Sequence, residues 1–140
     1  MLTKFSLSLI FCLLITSAFS QKSGDKKIII TFPNDSALYE KAKLVLAKHD
    51  FSIREDGNKD TITTQLREFR TIPGYCIFNA VINGNTITLS GIYGLKKRNI
   101  VGYTTAPKDY KSITYYSGSK GWRLLMSVAE EMGGQISFSK

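Results

Sequence analysis

Residues 75–93 read YCIFNAVINGNTITLSGIY. Two apolar, β-branched runs meet at Asn83-Gly84, a pair that suits the tight turn of a β-hairpin because both types tolerate positive φ. Tyr75 to Ile82 is apolar on both faces, as a central strand would be. In Thr86 to Tyr93, Ile87 and Leu89 alternate with Thr86, Thr88 and Ser90, the period-two pattern of a strand with one wet face. This hairpin predicts an antiparallel sheet with one face to bury, and the rest of the chain must supply the cover.

Upstream, Ile28-Ile29-Ile30-Thr31-Phe32 reads as a strand that Pro33 ends. Asn34-Asp35-Ser36 offers side-chain oxygens for a helix N-cap. A helix is expected to about Asp50, with Leu38, Ala42, Val45, Leu46 and His49 on one face. Phe51 to Arg54 alternates as a strand, and Asp56-Gly57-Asn58 turns the chain. Thr61 to Phe69 is the next strand, with Ile62, Thr64 and Leu66 on one face, and Pro73-Gly74 turns into the hairpin. Downstream, residues 94–117 form a long, irregular, basic and Tyr-rich loop. Ile100-Val101 and Ile113-Thr114-Tyr115 are candidate short strand pieces within it. Ser119 caps a second helix from about Gly121 to Met132, whose stripe is Trp122, Leu125, Met126, Ala129 and Met132. Gly133-Gly134 supplies a left-handed C-cap, and Gln135 to Phe138 is the candidate closing strand. The order β-α-β-β-β-β-α, with that closing strand, predicts an α+β two-layer sandwich. Short turns make the middle strands antiparallel neighbours, and both amphipathic helices lie on one face of the sheet.

The composition fits a single domain over residues 21–140: the chain has 140 residues, 43% hydrophobic and 21% charged. Residues 1–20, MLTKFSLSLIFCLLITSAFS, carry a lysine, an apolar stretch and small residues before Gln21. That is the pattern of a secretory signal peptide cleaved near Ser20-Gln21. The stretch is short for a transmembrane anchor and interrupted by Ser6, Ser8, Thr16 and Ser17. Cys12 sits mid-run rather than after a cleavage box, so lipid attachment is not expected. An exported chain, periplasmic or secreted, would keep Cys76 alone, and one cysteine cannot close an internal disulfide.

Few residues offer chemistry. Cys76, in an apolar strand, reads as a small buried hydrophobe rather than a nucleophile. His49, the one histidine, falls near a helix C-terminus, where the dipole favours it, and no nucleophile motif accompanies it. Glu130 and Glu131 are adjacent on a helix and point about 100° apart, a poor arrangement for paired acid–base work. Asp56 and Asp60 read as turn residues, since the remaining ligands of a calcium loop are missing. Gly91-Ile92-Tyr93-Gly94 matches neither a dinucleotide fingerprint nor a P-loop. No catalytic site, metal or cofactor is expected.

Three stretches carry a resemblance: Leu38-Tyr39-Glu40-Lys41-Ala42, His49-Asp50-Phe51-Ser52-Ile53 and Asp60-Thr61-Ile62-Thr63-Thr64. With the element order, they resemble small exported Gram-negative domains of unknown function with a TATA-box-binding-protein-like (TBP-like) fold. They are also similar, more distantly, to the repeated domains of the envelope lipoprotein BamC. His49-Asp50-Phe51 stands where those domains have Gly-Phe. The resemblance spans about residues 28 to 93 and, by order, the last helix. It implies an envelope or secreted binding module and brings no catalytic residues.

The informative excess is charge: 19 Lys and Arg against 11 Asp and Glu, a formal +8. Lys96, Lys97, Arg98, Tyr103, Lys108, Tyr110 and Lys111 gather in the 94–117 loop and are the candidate binding residues. Cations among aromatic rings suit nucleic acid in the cytoplasm. Export points instead to an anionic envelope partner: a lipid or glycan surface or an acidic protein face. The bland alternative is a solvated loop whose charge serves solubility. The function expected is a non-catalytic binding or envelope-assembly module. The alternatives are a small secreted hydrolase and a structural subunit pairing through an edge strand such as the first.

Overall fold

The computed structural model describes residues 20–140 except 35, 71–72, 100–101, 106 and 117–118. Apart from Ser20, the predicted signal peptide lies outside the described residues, as do Asp35 and the Ile100-Val101 pair. In chain order the elements are β1 (Lys27–Thr31), α1 (Leu38–Lys48), β2 (Ile53–Arg54), β3 (Thr61–Thr64), β4 (Arg67–Glu68) and β5 (Gly74–Asn83). They continue as β6 (Thr86–Leu95), β7 (Lys97–Asn99), β8 (Gly102–Thr105), β9 (Lys111–Ser112), α2 (Lys120–Met132) and β10 (Gln135–Ser139).

The expected α+β architecture is present: an eight-stranded antiparallel sheet runs β10-β1-β6-β5-β3-β2, with β4 beside β5 and β9 beside β6. β5 and β6 pair along their whole length from Gly74↔Leu95 to Asn83↔Thr86. The two-residue turn between them is Gly84-Asn85, one residue beyond the expected Asn83-Gly84 pair, with Gly84 at φ +57 and Asn83 still paired to Thr86. Strand alternation sends Ile28, Ile30, Ile62, Cys76, Phe78, Ala80, Ile87 and Leu89 to the inner face, where all are 0–1% exposed. Leu38, Ala42, Val45 and Leu46 of α1, and Trp122, Leu125, Val128, Ala129 and Met132 of α2, are buried against them. α1 covers β2, β3 and β5, α2 covers β1 and β6, and the two helices touch. Each large aliphatic side chain so buried stabilises by about 1.5–3 kcal/mol.

Several expectations need correcting. α1 begins at Ala37, which is left-handed (φ 57) and makes no side-chain cap, whereas the Asn34 Oδ1 accepts the Ser36 N–H instead. α2 is capped as expected: Ser119 Oγ accepts the Trp122 N–H, and Gly133 closes the helix at φ 79. Residues 94–117 are not one loop. They complete β6, form the separate β7-β8 hairpin and supply β9. The strand piece there is Lys111–Ser112 rather than Ile113–Tyr115, because Tyr115 exchanges backbone hydrogen bonds with Asp25 and Gly24 of the lead-in segment. β1 is not an edge, since β10 and β6 pair with it on either side. β10 and β2 end the sheet.

Candidate functional site

The expected strand Thr61–Phe69 breaks in two, and the break builds a site. β3 pairs with β5 through Ile62↔Ala80 and Thr63↔Asn79, but β4 pairs through Arg67↔Cys76, one residue out of step. This extra residue is a β-bulge. Thr64 fills the gap in the ladder by accepting the Phe78 N–H on its buried Oγ1 at 2.9 Å. With a period of two, a one-residue slip exchanges the faces. Leu66, expected on the apolar face, is therefore 45% exposed. Arg67 turns inward beside Cys76, with its guanidinium 4.6 Å from the centroid of Phe51, which stacks on Phe78.

Arg67 lines a cleft of about 390 Å³ between β4 and the first turn of α2, with Phe69, Arg70, Lys120, Arg123 and Leu124. Its Nη1 is sealed from solvent without a hydrogen-bond acceptor. Arg70 pairs with Asp50, both well exposed, a contact worth little. A second pocket of about 240 Å³ adjoins the first, sharing Phe69 and Lys120 and extending over Tyr93, Ile113, Tyr116 and Gly121. None of Arg67, Phe69, Arg70, Lys120, Arg123 and Leu124 was a candidate from the sequence. The one available signal was an arginine within the expected strand Thr61–Phe69.

The candidates in residues 94–117 converge in part. Lys96, Lys97, Lys108 and Lys111 line a shallow pocket of about 260 Å³ with Tyr93, Gly94, Leu95, Pro107 and Asp109. Gly94 lets Pro107 seat there: a Cβ would lie 2.6 Å from the proline ring. Lys96 is committed elsewhere, hydrogen-bonding Glu68 and lying 5.0 Å over the Tyr75 ring. The bond to Glu68 holds its ammonium above the usual lysine range. Lys97, Lys108 and Lys111 are exposed and form no ion pair among the described residues. Tyr110 is half-buried and outside this lining. The backbones of Arg98 and Tyr103 pair across the β7-β8 hairpin.

Cys76 is fully buried and unpaired; burial pushes its thiol up to about 11, partly offset by Arg67. His49 Nε2 lies 2.8 Å from Glu131 Oε2, tying the C-terminal ends of the two helices together. Glu131 is eleven residues from Lys120, about 17 Å along α2 and so far from both basic pockets. Among the described residues no group of three or more His, Cys, Asp or Glu could hold a metal ion. No helix there is long and apolar enough to cross a membrane. One end of the sheet thus offers cations around aromatic and apolar floors, an arrangement that attracts anions. Compared with known proteins, the chain matches no family model and no curated protein.

Proposed function

We propose that this chain is an exported, non-catalytic binding module that docks its basic sheet end on an anionic envelope surface of phospholipid headgroups. The observation that carries the reading is the convergence of Lys97, Lys108 and Lys111 from separate segments onto one rim, where they outnumber the single carboxylate in the lining, Asp109, and form no ion pair among the described residues. Each lysine near an anionic membrane surface contributes about 1 kcal/mol, and the attraction fades within a Debye length of about 8 Å at physiological salt. A rim of this kind binds reversibly and loses its hold as salt rises. The Met1–Ser20 pattern supports export, and the resemblance to TBP-like envelope domains agrees with it.

The test is co-sedimentation of the mature chain with phosphatidylglycerol-containing and phosphatidylcholine vesicles at low and high salt. Binding to the anionic vesicles alone, weakened by salt and by the combined Lys97→Gln, Lys108→Gln and Lys111→Gln substitutions, is expected. Equal binding to neutral vesicles, or none to either, would refute it. A second reading, self-association through a sheet edge, is favoured by the outer side of β10, which pairs with no strand among the described residues. Light scattering that finds a monomer at high concentration would dismiss that reading.

A further inference from the structure

We infer that the cleft between β4 and α2 is a binding site for a small anionic amphiphile, with Arg67 reading a phosphate or carboxylate head and the adjoining pocket taking the apolar body. The Arg67 cleft shares no lining residue with the lysine rim, the adjoining pocket shares only Tyr93 with it, and the inference does not depend on the docking proposed above.

Arg67 is the reason to expect an anion. A guanidinium stays charged at any physiological pH. This one has been turned to the inner face by the bulge; its Nη1 is wholly withdrawn from solvent, so the guanidinium is partly desolvated and would meet an anion in the cleft through its other nitrogens. Among the described residues it meets the Phe51 ring but no carboxylate. A ring face compensates a cation by about 0.5–2 kcal/mol, less than a charge-assisted hydrogen bond to an anion supplies. Lys120 and Arg123 line the same cleft, as does Arg70, which pairs with Asp50, and no acidic residue is among its lining residues, so the lining favours a negative head. The planar fork of arginine matches both phosphate and carboxylate oxygens.

The apolar body follows from the neighbouring pocket. Phe69 and Lys120 belong to both linings, so the cleft adjoins the pocket lined by Tyr93, Ile113 and Tyr116. Gly121 lets α2 pack closely in this floor on Ile113, whose atoms lie 3.3 Å from the position of a Cβ. The cleft, about 390 Å³, is within the size range of small-ligand pockets, and the adjoining pocket, about 240 Å³, lies just below it.

Calorimetry on the mature chain tests this with octyl phosphate and octanoate below their micelle-forming concentrations. Octyl glucoside serves as the neutral probe with the same tail, and inorganic phosphate as the head alone. One-to-one binding of an anionic octyl probe, about tenfold or more tighter than either control, is expected. The tighter of the two anionic probes identifies the head group. Arg67→Gln should weaken that binding about tenfold or more while leaving the melting temperature of the ligand-free protein level or higher. Arg67→Lys, which keeps the charge without the fork, should fall between. The Lys97, Lys108 and Lys111 triple variant should bind the probe within about twofold of the unaltered chain, because those side chains line another pocket. Octyl glucoside or inorganic phosphate binding as tightly as the anionic octyl probes would overturn the inference. So would the absence of binding, or a destabilised Arg67→Gln that still binds normally.

Discussion

At the scale of single residues, the groups with chemistry to offer occupy very different surroundings. Cys76 is fully buried on the inner face of β5 opposite Arg67 of β4, with a thiol raised to about 11, so little thiolate forms near neutrality. It should resist thiol reagents in the native protein and react at the rate of an ordinary cysteine once denatured. Fast native labelling would show the burial to be wrong. Glu131 is held below the usual glutamate range, first by its bond to His49 and then by Lys48. A lowered carboxyl contributes stability above its unfolded range and loses it as the pH falls through the lowered value. Glu131→Gln should therefore lower the melting temperature at neutral and alkaline pH and converge with the unaltered chain at low pH, which flattens the acid side of the profile. An unchanged acid side would mean that the contact contributes nothing.

At the scale of elements, caps and close approaches set the margins. Ser119 satisfies one of the orphan N–H groups at the start of α2, and its replacement by Ala should cost about 1 kcal/mol in denaturant unfolding. α1 has no such cap, so its first turn leans on the burial of Leu38 and Ala42. Gly91 lies on the inner face of β6, and a Cβ there would come 2.8 Å from Ile113 and 2.9 Å from the Phe78 ring. Gly91→Ala should destabilise by about 1–3 kcal/mol and lower the melting temperature by several degrees. A neutral result would mean that Ile113 swings aside freely.

At the scale of the whole molecule, the helices cover one face of the sheet and leave the other open. That outer face carries Thr88, Ser90, Asn79 and Thr63 among the more apolar Val81 and Ile92. The basic pockets lie at the sheet end that holds β4, the last residues of β6 and the start of α2. Charge in such a cluster acts at a distance and is screened by salt, whereas the buried surface of Arg67 is screened much less. Raising ionic strength should therefore weaken vesicle docking steeply and binding of the amphiphile in the cleft only mildly. Equal salt slopes would argue that both report one diffuse surface.

The sequence by itself determined the layers. The Asn83-Gly84 turn signal, the alternation of Ile87 and Leu89, and the stripes from Leu38 to Leu46 and from Trp122 to Met132 all depend on local periodicity, which needs no knowledge of distant partners. The lysines of residues 94–117 were legible for the same reason, being close in sequence before they are close in space. Tertiary structure alone decided the Arg67 cleft. Face assignment along Thr61–Phe69 rests on counting by twos, and the extra residue at the bulge, fixed by pairing with β5 and by Thr64 bonding Phe78, resets the count. The cap of α1 and the interior place of β1 were decided the same way, since pairing with β10 and a left-handed Ala37 are outcomes of packing that no short window of residues contains.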